Sequence, residues 1–131
     1  MSFLHLPVEH FLEDLASSSP TPGGGGAAAL AGATAAALVS MVCRLTLGRP
    51  KYAEVETRVR EILTQSEALR EELAALVDVD ADAYDRVMAA YRLPRETEEE
   101  RQTRSAAIEQ AMVEATRVLF RTAAAARRVL D

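Results

Sequence analysis

Ser17-Ser18-Ser19-Pro20-Thr21-Pro22-Gly23-Gly24-Gly25-Gly26 runs directly into Ala27-Ala28-Ala29-Leu30-Ala31-Gly32, and this junction is the chain's best candidate for binding a ligand. Two prolines and four consecutive glycines precede a charge-free helix former. Such a loop brings bare backbone N–H groups against a ligand at a helix N-terminus, where the helix dipole favours negative charge. The plainer reading is a flexible turn whose glycines permit tight packing. A second group is Asp78-Val79-Asp80, which reads as the N-cap region of a short helix. His5 and His10 form an isolated pair and read as ordinary surface or core residues, so no metal site is expected.

The chain that must position these groups has 131 residues, enough for a core but not for two. Residues 1–131 are therefore expected to form a single domain. Apolar residues make up 49% of the chain, yet aromatics are only 5% and Trp is absent. Its core must be built from Ala, Leu and Val, which suits closely packed helices. A net charge of −5 without a basic stripe argues against nucleic-acid binding. An anionic ligand would need a local positive pocket working against that charge. Cys43 has no partner for a disulfide, and Met1 opens no charged-then-apolar leader, so a cytoplasmic location is expected.

Helical patterns run throughout. Pro7 to Ala16 predicts a first helix with Val8, Phe11, Leu12 and Leu15 on one face. A second should run from about Gly24 to Leu47. Its lack of charge from Leu15 to Cys43 raises a membrane span. Its alanines, interrupting Ser and Thr, and missing interfacial belt favour a helix buried on all sides in a core or subunit interface, with no membrane role. After Gly48-Arg49-Pro50, a third helix is expected from about Lys51 to Val77. Tyr52, Val55, Val59, Ile62, Leu69, Leu73 and Leu76 form its seam. A short fourth helix should start at Asp78–Asp80 and end near Tyr91. The acidic run Glu96–Glu100 predicts the first turn of a fifth, which keeps a seven-residue rhythm to the chain's end. The expected fold is all-α, an antiparallel bundle around the Ala-rich helix, completed by dimerisation.

Three segments, in order, resemble one enzyme family. The first is Phe11-Leu12 through Ser17–Gly25. The second is Arg44-Leu45-Thr46-Leu47-Gly48 with Lys51-Tyr52. The third is Asp78-Val79-Asp80-Ala81-Asp82-Ala83-Tyr84, followed by Val87–Pro94. Together they resemble the cyclodeaminase/cyclohydrolase family, which includes the cyclodeaminase part of formiminotransferase-cyclodeaminase and bacterial methenyltetrahydrofolate cyclohydrolases. The resemblance implies an all-α homodimer, or a higher homo-oligomer, acting on a tetrahydrofolate one-carbon adduct near the subunit interface. One possible reaction hydrolyses 5,10-methenyltetrahydrofolate to 10-formyltetrahydrofolate. The other cyclises 5-formimidoyltetrahydrofolate with release of ammonia. Either passes through a tetrahedral carbon between N5 and N10 and needs proton transfer, with no cofactor and no obligatory metal.

Under that resemblance, Asp80 is the general acid/base candidate, with Asp78 and Asp82 as alternatives; the competing reading of Asp80 is a helix cap. Thr21, Pro22, Gly23, Gly24 and Gly25 would present donors to the pterin or a carboxylate. Arg44, Arg49 and Lys51 would attract the glutamate tail, or else complement the C-terminal end of the second helix. Tyr84 would line the pocket or fill the core. Gly26 stands where the family motif commonly has serine. Val118-Leu119-Phe120 lacks a proline often found there, and family members usually continue through further helices beyond the point matching Asp131. A non-catalytic helical interaction module descended from the same family is the competing function.

Overall fold

The computed structural model describes residues 2–131, and they are almost entirely helical. The helices are α1 (Val8–Ala16), α2 (Gly24–Thr46), α3 (Glu56–Tyr91) and α4 (Glu98–Leu130), with short 3₁₀ turns at Phe3–His5 and Pro50–Val55. No strand occurs among the described residues.

The chemistry of α2 explains its place. Gly26, Ala29, Ala33, Ala36, Ser40 and Cys43 recur at three- and four-residue steps and form its buried stripe. Small side chains let α3 approach closely. A Cβ on Gly32 would lie 3.1 Å from Leu73 Cδ1, and Leu73 is fully buried. Gly26 lies near Val77, Gly32 meets Leu73 and Ser40 meets Ser66, so α2 and α3 run antiparallel. α4 returns along both and contributes Val118 and Ala125 to the main core. Phe11 of α1 closes that core, with Phe3 edge-on at a ring-centroid distance of 6.2 Å.

Two expectations change here. First, α3 is one continuous helix through Asp78–Asp80, where a new helix was expected. Leu73, Leu76, Val77, Ala81, Ala83 and Val87 keep the buried face unbroken, and no Gly or Pro interrupts. Asp disfavours a helix interior only mildly, and this packing overrides it. Second, Lys51 to Val55 is a 3₁₀ turn, with Tyr52 at non-helical angles, so α3 starts later than its apolar spacing suggests. Within its own chain α2 is covered on one face. Leu38, Met41, Val42 and Leu45 are exposed on the other. α2 is long and apolar enough to cross a membrane by length and composition, but here it packs against α3 and α4.

The helix ends follow local rules. Gly48, at φ +78°, turns the chain after α2. Thr97 and Glu100 form a reciprocal capping box that starts α4, with Glu98–Glu100 in its first turn as expected.

Candidate active site

The turn between α1 and α2 is organised by its serines. Ser17 N–H and Ser17 Oγ both donate to the Asp14 carbonyl. Ser19 N–H donates to Ser17 Oγ at 3.0 Å, and Ser19 Oγ donates to the Thr21 carbonyl at 3.0 Å. The chain then passes through a cis Thr21–Pro22 peptide bond and buries Pro22. Gly23 is the N-cap of α2 and has no side chain to satisfy the first N–H groups.

That role falls to Asp80, about two-thirds of the way along α3. Its carboxylate rests against the first turn of α2, where the Gly26 N–H donates to it. Asp80 is therefore a cap, but of another helix rather than of its own. Burial pushes its carboxyl above the usual carboxylate range, while the Gly26 hydrogen bond pulls the other way without cancelling the effect. The group is half-buried and faces a cavity of about 350 Å³. Pro20, Thr21, Gly23 and Gly24 form one wall, and Tyr84 and Val87 of α3 another. Met112, Ala115 and Leu119 of α4 complete it.

Of the residues expected at a site, Thr21, Gly23, Gly24, Asp80 and Tyr84 meet at this cavity, with Pro22 and Gly25 immediately behind it. Met112 and Leu119 were missed. The rhythm of α4 points to its core stripe, whereas these two lie beside that stripe and remain half-exposed. Asp78 is engaged elsewhere: its carboxylate accepts from Ser2 Oγ and, at 2.8 Å, from the Phe3 N–H, tying down the N-terminal segment. Asp82 points into solvent.

Arg44 and Lys51 are not brought to this cavity. They lie at the far end of α2, roughly 30 Å from Gly24 by helix rise. Arg44 is paired with Glu67, which also binds Arg70 and accepts from Ser40 Oγ at 3.1 Å. Arg49 Nε donates to the Leu45 carbonyl at 2.8 Å, which satisfies the end of α2. The Lys51 ammonium sits 5.5 Å from the centre of the Tyr52 ring. The space at Gly26 is ordinary: a Cβ would lie 3.7 Å from Pro22 Cβ and 3.9 Å from Asp80 Oδ2. A serine would fit there and bring its hydroxyl beside Asp80.

The formiminotransferase-cyclodeaminase family profile matches residues 7–131. A methenyltetrahydrofolate cyclohydrolase from Methylorubrum extorquens is 51% identical over 124 residues, 95% of this chain. A formimidoyltransferase-cyclodeaminase from Sus scrofa is 35% identical over 89% of the chain. A solved formiminotetrahydrofolate cyclodeaminase from Thermotoga maritima superposes with a TM-score of 0.72 at 32% identity, over 88% of this chain. The chain spans 60% of the Methylorubrum protein, 22% of the Sus protein and 53% of the Thermotoga chain. Matched along nearly all of its length, and sharing the helical fold of a solved relative, the chain belongs to the formiminotransferase-cyclodeaminase family.

Proposed function

We propose that the chain is a folate one-carbon enzyme that hydrolyses 5,10-methenyltetrahydrofolate to 10-formyltetrahydrofolate. One observation carries this reading: the Asp80 carboxylate is seated on the first turn of α2 and opens onto a largely apolar cavity. A cavity of this size falls within the usual range for small-ligand sites, about 300–1,000 Å³. The name of the Methylorubrum relative favours hydrolysis over the cyclodeaminase reaction, because its identity to this chain is higher than that of the cyclodeaminase relatives.

In this reaction water adds to the carbon bridging N5 and N10. Asp80, ionised, takes one proton from the water as the C–O bond forms, giving a tetrahedral carbon. Opening the ring breaks the bond to N5, which needs a proton, and the Asp80 carboxyl returns the one it holds. The hydroxyl proton leaves to solvent as the formyl group forms on N10. A carboxyl that burial holds above its usual range suits both halves of this exchange, because the same shift that makes it a better proton acceptor leaves it able to return the proton. Thr21 and the Pro22–Gly25 backbone would hold the pterin against Asp80, with Tyr84 covering it. Proton transfer suffices, so neither a redox cofactor nor a metal enters the scheme.

The glutamate tail needs cations that this cavity lacks. Arg44 and Lys51 would reach it only from a second copy of the chain, in a homodimer. The exposed apolar face of α2 supports such a pairing.

The test follows the absorbance of 5,10-methenyltetrahydrofolate with purified protein. Loss well above the buffer rate is expected, and hydrolysis at the buffer rate overturns the reading. Ammonia release from 5-formimidoyltetrahydrofolate would instead indicate the cyclodeaminase reaction. Inactivity in both assays would leave the non-catalytic module.

A further inference from the structure

The glycines of the turn are not equivalent, and what separates them is Asp80. A Cβ on Gly25 would lie 2.3 Å from Asp80 Oδ1, 2.7 Å from its Cγ and 2.8 Å from Oδ2. Real Cβ atoms do not approach other atoms so closely, so a side chain at this position displaces the carboxyl. Its neighbours impose no such demand. A Cβ on Gly24 meets nothing within 4 Å, and one on Gly23 touches the Pro20 carbonyl at 3.6 Å. At Gly26 the nearest atoms, in Pro22 and Val77, are 3.7 Å away.

Building on the reading of Asp80 as the proton-transfer group, we infer that Gly25 is a positioning residue whose missing side chain lets the Asp80 carboxyl seat on the first turn of α2. The seat has two consequences. It fixes where the carboxyl faces the cavity, and it supplies the Gly26 N–H as donor to the ionised form. Nothing else on the cavity walls does so. α4 presents Met112, Ala115 and Leu119, and the turn presents Pro20, Thr21, Gly23 and Gly24. Tyr84 of α3 is the other titratable group among these lining residues, and no cation faces Asp80 from any of the three elements. A carboxyl pushed off α2 loses the donor that favours its ionised form, so it holds its proton to higher pH.

Gly25→Ala is the variant of choice, because alanine favours the helix that it would occupy. Its thermal melt, followed by far-ultraviolet circular dichroism, should match or exceed that of the parent protein. Carboxyl ¹³C NMR titration, with Asp80 assigned from the Asp80→Asn spectrum, should show its midpoint rising by about one pH unit. The turnover of methenyltetrahydrofolate should fall at least ~10-fold, and the acid limb of its pH profile should move up with that midpoint. A folded Gly25→Ala protein with an unmoved Asp80 midpoint and an unshifted pH profile would overturn the inference. Such a result would make Gly25 a packing residue alone. If the alanine blocks folding, adding Asp80→Ala removes the clash and should restore it; a double variant that stays unfolded also overturns the inference. Failure of the underlying reading looks different: Asp80→Asn would then retain full activity, while the titration of Asp80 in Gly25→Ala would still report on its seat.

Discussion

Glu67 and Asp80 are carboxylates on the same helix, roughly 20 Å apart along α3 by helix rise, and their surroundings push them in opposite directions. Glu67 is held by Arg70 and Arg44 and accepts from Ser40, which takes its pKa from an ordinary 4.5 to about 2. Asp80 has no cation beside it in the cavity and one backbone donor, and burial raises its pKa. The Glu67 end is electrostatically closed: its charge is matched, and the Ser40–Ser66 pair lies buried beneath it at 2.8 Å. The Asp80 end is left open toward a cavity. A matched carboxylate locks two helices together, whereas an unmatched one stays able to exchange a proton.

Exchanging each carboxylate for its amide breaks the comparison most directly. Asp80→Asn should lower methenyltetrahydrofolate hydrolysis by about 100-fold or more, measured as loss of substrate absorbance. The same variant should melt at or above the parent temperature at pH 7. A raised carboxyl favours the folded state only while protonated, and that advantage is lost as pH rises from the unfolded value of 3.8 through the folded one.

Leu73→Ala probes the scaffold between the two ends. Leu73 is fully buried against Gly32, and its truncation should cost about 2–5 kcal/mol in denaturant unfolding. If the two ends share one scaffold, this variant should also broaden the Asp80 titration. A titration unchanged in the folded fraction would show that the ends are independent.

Glu67→Gln should have the opposite pH signature to Asp80→Asn. A depressed carboxyl contributes stability above about 4.5 and loses that contribution as pH falls toward about 2. The variant should therefore melt below the parent protein at pH 7 and converge with it near pH 2, by calorimetry across pH. Its pH–rate profile should keep the parental midpoints, because Glu67 lies far from the cavity. A shifted midpoint would mean that the Glu67 network reaches Asp80.

Thr97→Ala is the smallest perturbation. It removes half of the capping box of α4 and should cost about 1 kcal/mol in chemical denaturation. Neither carboxylate should change its titration, since α4 starts away from both.

Much of the fold was legible because it depends on short-range periodicity. The α2 stripe, the Thr97–Glu100 start of α4 and the break at Gly48-Arg49-Pro50 are written in residues a few positions apart. The reading failed at Asp78–Asp80 for a physical reason. Asp side chains at a helix start bond their own backbone, and a local reading assigns them that role. Here Asp78 serves Ser2 and Phe3, and Asp80 serves α2, so both carboxylates are used by distant segments and α3 passes through unbroken. Arg44 shows the same limit: it is basic and near a turn, but within its own chain Glu67 reaches it from α3, away from the cavity beside Asp80.

By itself the sequence determined that the chain is helical, that a glycine turn opens its most apolar helix, and which family it resembles. Each of these follows from residue spacing or an ordered motif. Tertiary structure alone decided why Gly25 must be bare, which of three aspartates faces the cavity and which cations do not. These outcomes depend on the antiparallel register of α2 and α3. Register sets one carboxylate on the turn and the other between two arginines, and no stretch of sequence records the distance between them.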